Sequence, residues 1–199
     1  MSVDALANLN EAQREAAQTV EGPLLILAGP GSGKTRVIVH RIAHLILDRA
    51  VRPHSIIAMT FTNKAAREMR GRLDALLTGR DRGLTMGTFH GVCASFLRRD
   101  GQHIGVDQNF VIYDAADQLS RVRHAMEELD ISPDRFAPKV LHQAIGAAKS
   151  QLLGVEEHAE MNHESYLDEI VHRVYDRYEA LLTRSNALDF QDLLFKTVR

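Results

Sequence analysis

A chain of 199 residues, of which 45% are hydrophobic, is long enough to bury a core, so its composition excludes a disordered or low-complexity protein. Its 24 basic and 26 acidic residues give a net charge of −2, and no apolar run approaches the roughly 18 residues that a membrane span needs. The N-terminal residues lack the apolar core of a secretory signal, and the single cysteine, Cys93, can form neither an internal disulfide nor a multi-thiolate zinc site. We therefore expect a soluble protein of a reducing compartment, the cytoplasm, with no membrane partner.

The charges are unevenly divided along the chain. Residues 1–109 carry 14 basic and 10 acidic side chains, whereas residues 110–199 carry 10 basic and 16 acidic side chains. A basic first half indicates a local positive surface, which the net charge of the whole chain hides.

The first half alternates between strand and helix patterns. Residues 24–28 are uniformly apolar and end at Gly29 and Pro30, which predicts a buried parallel strand. The apolar period then changes to that of a helix over residues 34–47. The alternation continues with predicted strands at residues 56–59 and 84–86 and predicted helices at residues 64–77 and around Cys93 and Leu97. This order predicts an α/β fold with a parallel sheet and right-handed crossovers.

Beyond a brief strand-like run at residues 110–113, the pattern is almost entirely helical. Asp114 and Asp189 are typical helix N-caps, and residues 185–188 are not rich in strand-forming residues. Helices are predicted at residues 115–129, 138–149 and 165–183. We expect an α/β body, residues 1–109, an inserted all-helical subdomain, residues 110–184, and a return into the body, residues 185–199.

The segment after the first predicted strand resembles a phosphate-binding loop. It reads Ala28, Gly29, Pro30, Gly31, Ser32, Gly33, Lys34, Thr35. Its glycines let successive backbone N–H groups turn towards phosphate oxygens, and the positive end of the following helix points at the same anion. Lys34 would reach the outer phosphates and the Thr35 hydroxyl would bind Mg²⁺. Ala28 stands where the strict pattern has glycine, and a residue this small should still fit there.

Polar and aromatic residues follow the other two predicted strands of the first half. One set contains Phe61 and the other contains Phe89, and ligands gather at the carboxyl ends of parallel strands. Aromatic rings beside amide, hydroxyl and ammonium donors suit single-stranded nucleic acid, with bases on the rings and phosphates on the donors. The composition also allows a second interpretation, in which both rings are core residues at strand ends.

Five collinear segments together identify a resemblance to the UvrD/Rep/PcrA-type superfamily 1 DNA helicases. They are residues 9–14, the phosphate loop, residues 60–66, residues 87–90 and residues 188–194, and the likeness also includes residues 110–114. The resemblance implies a P-loop NTPase fold of the RecA-like type. It also implies ATP and Mg²⁺ as cofactors, and ATP hydrolysis coupled to movement on single-stranded DNA and to unwinding of duplex DNA. Single/double-strand junctions are the implied substrates, and repair or replication proteins are left open as partners.

The resemblance assigns roles to individual residues. Gln13 matches a glutamine that reads the adenine edge, and Arg36 matches an arginine that lies near the base. The nucleotide site would thus comprise Gln13, Ala28, Gly29, Pro30, Gly31, Ser32, Gly33, Lys34, Thr35 and Arg36, with Lys34 and Thr35 as the catalytic members. The DNA contacts would be Phe61, Thr62, Asn63, Lys64, Thr88, Phe89 and His90.

The sequence departs from the family in lacking a recognisable Walker B pair. Asp189, Phe190, Gln191 and Asp192 superficially resemble one, but no buried strand is predicted before Asp189 and no glutamate follows it. We therefore expect a helix start here, and we expect Walker B and the second motor domain beyond Arg199. The sheet would then be incomplete at its C-terminal end, and the chain alone should bind nucleotide weakly and hydrolyse almost none.

Two other function classes stay open at this point. One is a different P-loop NTPase, such as a small-molecule kinase or a transporter ATPase, and the other is a non-hydrolysing module that binds nucleotide and DNA. The spacing of His40 and His44 could suit a metal, but both belong to a charged helical stripe and no carboxylate motif accompanies them. We expect His158 and His163 to be exposed, and we expect Cys93 to be a buried core thiol.

Overall fold

Helices and short parallel strands alternate along residues 5–162 and 165–199, which are the residues that this computed structural model describes. The chain divides into two compact units, Met1–Val92 and Cys93–Arg199. Each unit has hydrophobic clusters of its own. The predicted division at residues 109 and 184 stays a prediction.

The first unit contains two parallel strands and the helices packed on them. Its elements are α1 (Glu11–Gln18), α2 (Lys34–Leu47), a short 3₁₀ turn (Pro53–Ser55), β1 (Ile57–Thr60), α3 (Asn63–Leu77), β2 (Thr85–Thr88) and the start of α4 (Phe89–Asp100). Strands β1 and β2 pair in parallel from Ile57 opposite Thr85 to Thr60 opposite Thr88. The predicted alternation of strand and helix is therefore confirmed from α2 to β2, with strand bounds shifted by one or two residues.

Helices α2 and α3 form because an apolar face of each packs on the same core. Val39 and Ile42 from α2 join Leu73 and Leu77 from α3 in one buried cluster that also includes Ala58 of β1. Helix α2 has the predicted bounds, and α3 begins one residue before the predicted start. His44, which was predicted to lie on the charged stripe of α2, is buried, and its Nδ1 lies 2.7 Å from Asp48 Oδ2.

The strand predicted at residues 24–28 is wrong for the structure described here. These residues form no strand, and Leu25 and Leu27 are 81% and 85% exposed. A strand needs a neighbouring backbone to hydrogen-bond with, and in the described residues β1 and β2 pair only with each other. Residues 24–28 therefore have the composition of a strand, but no neighbouring strand pairs with them in the described residues.

The second unit is mainly helical. After the rest of α4 it contains a 3₁₀ turn (Gly101–Ile104), β3 (Val111–Ile112), α5 (Ala115–Glu128), α6 (Pro138–Ser150), α7 (Val155–Met161), α8 (Tyr166–Arg184), β4 (Ala187–Leu188) and α9 (Phe190–Val198). The largest buried cluster joins α5, α6 and α8 through residues such as Met126, Leu141 and Tyr178. Cys93 is buried, as predicted.

Strands β3 and β4 bring the two ends of the helical segment together. They pair in parallel, with Val111 opposite Ala187 and Ile112 opposite Leu188. Asp114 and Asp189 then cap α5 and α9, and both N-cap predictions are confirmed. The expectation that residues 185–188 contain no strand is wrong for Ala187 and Leu188, because the pairing partner lies far away in the sequence.

Two further details of this unit differ from the sequence predictions. Helix α7 was not predicted, because its seven residues are too short to show a clear apolar period. His158, which was predicted to be exposed, is buried with its ring edge-on to Tyr175 at a centroid distance of 6.2 Å. Burial lowers the pKa of His158. His163 lies outside the described residues.

Candidate functional site

The glycine-rich loop lies directly before α2 and leaves the first turn of that helix accessible. Gly31 and Gly33 have φ angles of 77° and 87°, which a residue with a Cβ atom adopts only with strain. Gly33 is the N-cap of α2 and provides no side-chain hydrogen bond to the first-turn N–H groups. No atom lies within 4 Å of where a Cβ would stand on Gly29 or Gly31. The loop thus fits an anion such as a nucleotide phosphate.

Lys34 folds over this loop. Its Nζ donates to Ala28 O at 2.6 Å and to Gly29 O at 2.7 Å, and Ser32 Oγ also donates to Gly29 O at 2.7 Å. The ammonium group is exposed, so phosphate oxygens can replace these carbonyls as acceptors without unfolding the loop. Thr35 follows in the first turn of α2 and is half-buried. The structure therefore places the two predicted catalytic residues next to the loop backbone.

Both ends of the Gln13 amide are hydrogen-bonded, the nitrogen to the same loop and the oxygen to the N-cap of α1. Its Oε1 accepts from Asn10 N at 3.2 Å and its Nε2 donates to Ser32 O at 3.0 Å, while Gln13 N donates to Asn10 Oδ1 at 2.9 Å. A Cβ added to Gly33 would lie only 2.9 Å from Gln13 Nε2. The positive φ of Gly33 requires glycine here, and a Cβ at this position would also displace the Gln13 amide.

Arg36, in the first turn of α2, contacts the segment that precedes α1. Its guanidinium donates to Asn8 O at 2.6 Å. A pocket of about 230 Å³ opens between α1, the loop and residues 26–28. It is lined by Asn10, Ala12, Gln13, Ala16, Ile26, Leu27, Ala28, Ser32, Lys34 and Val37. The apolar walls and the side-chain amides of Asn10 and Gln13 suit a flat heterocycle next to the phosphate position.

The two aromatic loops lie side by side because β1 and β2 end in register. Thr60 pairs with Thr88, so Phe61 and Phe89 follow at adjacent points of the same sheet edge, with ring centroids 5.3 Å apart. Phe61 is 91% exposed and Phe89 is 38% exposed. The exposure of Phe61 contradicts the interpretation of this residue as part of the core.

Hydroxyl groups hold the backbone of these two loops. Thr62 Oγ1 accepts from Ala65 N at 3.1 Å and caps α3, and Thr88 Oγ1 accepts from Gly91 N at 3.2 Å. Asn63 and Lys64 form the exposed first turn of α3, and His90 is half-buried. The structure thus brings together all the residues predicted to contact DNA, at one end of the parallel strands.

Sequence reasoning missed a buried ionic cluster in the second unit. Lys149 Nζ donates to Asp189 Oδ2 at 2.7 Å and to Asp192 Oδ1 at 2.8 Å, and it lies 2.5 Å from Glu179 Oε1, an ion-pair distance without hydrogen-bond geometry. Tyr178 OH donates to Asp189 Oδ2 at 3.1 Å. The cluster ties α6, α8 and the N-terminus of α9 together.

Burial and the neighbouring charges shift the pKa values of Lys149 and Asp192. Burial alone would lower the pKa of Lys149, but the neighbouring carboxylates, led by Asp192, raise it well above its usual value. Burial raises the pKa of Asp192 to about 6, although Lys149 opposes that shift. Among the described residues, Glu179, Asp189 and Asp192 are the single group of three side chains spaced to hold a metal. Lys149 supplies the cation in their midst.

The raised pKa of Asp192 predicts a pH-dependent stability. Between about pH 4 and pH 6 the folded chain keeps this proton while the unfolded chain releases it, so the free energy of unfolding should fall as the pH rises, by up to about 3 kcal/mol. Urea unfolding across pH 4.5–7 should show this fall as a difference between the unsubstituted chain and Asp192→Asn. Parallel stability curves for the two proteins would contradict the assignment.

One sequence signal could have revealed the cluster. The buried residues of α6 recur as Leu141, Ile145, Ala148 and Lys149, so the lysine occupies a position of the apolar stripe. A lysine in such a position requires a buried acidic partner. The partners themselves, Asp189 and Asp192, lie forty and more residues away and carry no local signal.

A glycine-rich loop that opens a helix, next to parallel strands with functional groups at their carboxyl ends, defines the class of P-loop α/β proteins. The chain belongs to the UvrD/REP helicase N-terminal domain family, whose sequence profile matches residues 9–199. This membership implies a RecA-like P-loop fold, as the sequence predicted. None of the helices in the described part of the chain is long and apolar enough to cross a membrane.

The individual proteins that this chain is similar to carry names consistent with this family. The chain is 42% identical over 199 residues to the ATP-dependent DNA helicase PcrA of Bacillus subtilis. The matched region is all of this chain and 27% of that protein. The chain is 45% identical over 202 residues to PcrA of Leuconostoc citreum, again covering all of this chain and 27% of the relative. For PcrA of Staphylococcus epidermidis the identity is 43%, covering 96% of this chain and 26% of the relative. The chain thus spans about a quarter of the length of these relatives.

Proposed function

We propose that this chain is the nucleotide-binding and strand-binding part of an ATP-dependent DNA helicase, and that it binds Mg-ATP and single-stranded DNA at neighbouring sites of its first unit. The observation that carries the proposal is the geometry of that unit, where an exposed pair of aromatic rings and a phosphate-type loop occur together. The names of the relatives, ATP-dependent DNA helicases, support the same conclusion.

In the nucleotide site, each residue has a distinct task. The loop N–H groups and Lys34 hold the phosphates, and Thr35 provides a hydroxyl ligand for Mg²⁺. Gln13 offers one donor and one acceptor to the base edge, with Arg36 next to it. Bound Mg²⁺ would neutralise charge on the outer phosphates. ATP hydrolysis and unwinding belong in this proposal to the longer protein, because the chain spans about a quarter of its relatives.

In the strand site, recognition would depend on stacking and not on base sequence. Phe61 and Phe89 offer ring faces to the bases, and Thr62, Asn63, Lys64, Thr88 and His90 surround them with polar groups for the phosphates. Exposed arginines of α3 add positive charge nearby, including Arg67 and Arg70. Substrates with a free single strand, including single/double-strand junctions, fit this site. The chain's bacterial relatives, which act on DNA, support a cytoplasmic location.

Replacing Phe61 by alanine tests the strand site. Loss of one stacked base should weaken binding of a labelled oligo-dT about tenfold, since a base–aromatic stack contributes roughly 1–3 kcal/mol. Fluorescence anisotropy at low and moderate salt measures the affinity. Phe61→Tyr keeps the ring and should bind normally, and so should Phe190→Ala, which removes an exposed phenylalanine of the second unit. If Phe61→Ala binds oligo-dT as tightly as these controls, the strand site lies elsewhere.

A further inference from the structure

Three side chains of α2 contact the backbone of the segment that carries Gln13. Arg36 donates to Asn8 O at 2.6 Å, and His40 Nδ1 lies 2.6 Å from Ala5 O. The guanidinium of Arg41 donates to Ala16 O at 2.9 Å and also to Thr19 O. Residues 36 and 40 are one helical turn apart and Arg41 follows directly, so side chains of α2 contact both ends of residues 5–19.

Arg41 acts at the C-terminal end of α1. The last four carbonyls of a helix lack partners within that helix, and α1 has no basic residue of its own in its last turn. Arg41 supplies from α2 both the hydrogen-bond donors and the positive charge that such an end favours. With only eight residues, α1 depends on contacts of this kind for its position.

The position of α1 determines where the Gln13 amide lies. Gln13 is in the first turn of α1, and its amide contacts Ser32 O and approaches Gly33 of the loop. Helix α2 starts directly after that loop. Arg41 of α2 holds α1, and α1 carries Gln13, so the loop and Gln13 are linked through these two helices. A rotation of α1 would therefore move the Gln13 amide relative to Ser32 O and the base edge.

We propose that Arg41 is a positioning residue for recognition of the nucleotide base: it holds the C-terminal end of α1 and thereby fixes the Gln13 amide beside the phosphate loop. This inference rests on the proposed function, in which Gln13 contacts the base. Arg41 does not line the pocket beside the loop, although its acceptor residue Ala16 does. Its effect should therefore appear in base recognition and not in phosphate binding.

Arg41→Met tests the proposal, because methionine keeps much of the apolar stem and removes the guanidinium. Calorimetry of the 199-residue chain would compare Mg-ATP with Mg-tripolyphosphate, which has the phosphates without the base. Affinity for ATP should fall about tenfold, as expected for one or two lost hydrogen bonds to the base, while affinity for tripolyphosphate stays within about twofold. Arg14→Met, the same change at an exposed position of α1, should alter neither affinity.

A double mutant separates positioning from a general structural role. If Arg41 acts through Gln13, the Gln13→Ala/Arg41→Met chain should bind ATP no more weakly than Gln13→Ala alone. Additive losses, equal losses for ATP and tripolyphosphate, or unchanged ATP affinity in Arg41→Met would each overturn the proposal. If Gln13→Ala itself leaves ATP affinity unchanged, the base contact in the proposed function fails, and the role of Arg41 fails with it.

Discussion

Replacing Lys149 by methionine is expected to lower the free energy of unfolding by about 3–5 kcal/mol, the usual cost of removing one partner from a buried ion pair. The side chain of Lys149 is fully buried among Glu179, Asp189 and Asp192. Without the ammonium, these carboxylates would repel one another in a site shielded from water. Urea unfolding at pH 7, followed by circular dichroism, measures the loss.

Lys139→Met provides the matched control for this prediction. Lys139 is on the same helix, α6, but is exposed, so its replacement should change stability by no more than about 0.5 kcal/mol. A second variant, Lys149→Met with Asp192→Asn, removes a negative charge together with the positive one and should recover part of the stability. If Lys149→Met costs no more than the Lys139 control, the cluster does not hold α6, α8 and α9 together.

Replacing Lys34 by alanine is expected to weaken Mg-ATP binding by about 10²–10⁴-fold, because two charge-assisted hydrogen bonds to the phosphates contribute roughly 1.5–3 kcal/mol each. The side chain is exposed and packs in no hydrophobic cluster, so the fold should persist. Calorimetry with Mg-ATP measures the loss. Affinity for oligo-dT, measured by anisotropy, should stay within about threefold, because the strand site uses other residues.

Lys64→Ala is the reciprocal control. Lys64 lies in the exposed first turn of α3, three residues after Phe61, so its removal should weaken oligo-dT binding and leave Mg-ATP affinity unchanged. A Lys34→Ala chain that stays folded but loses both affinities together would contradict the assignment of separate sites. An unchanged affinity for Mg-ATP would remove Lys34 from the nucleotide site.

Features that depend on neighbouring residues were predictable from the sequence. The glycine pattern predicted the loop and the start of α2, and single aspartates predicted the caps of α5 and α9. The strand predictions before Thr60 and Thr88 placed Phe61 and Phe89 at the same sheet edge, where the structure has them. These signals are local, because turns, caps and helix faces depend on residues a few positions apart.

Features that depend on distant partners were not predictable. Residues 24–28 have a strand's composition but form no strand, whereas Ala187 and Leu188 form one because β3 pairs with them. The same holds for Lys149, whose position in an apolar stripe indicated an acidic partner without identifying it. Arg41 resembled any exposed helical arginine, and its contacts with α1 became visible only in three dimensions.

The most direct test of the account is a backbone amide NMR titration of the chain, with Mg-ATP and with oligo-dT in separate samples. Mg-ATP should shift the amide signals of Gln13, Gly29 and residues 31–36, and oligo-dT should shift those of residues 61–64 and 88–90. Both sets lie in the first unit, and the signals of the Lys149 cluster should stay in place. Shifts of one common set with both ligands, or shifts centred on the second unit, would contradict the proposal of two neighbouring sites.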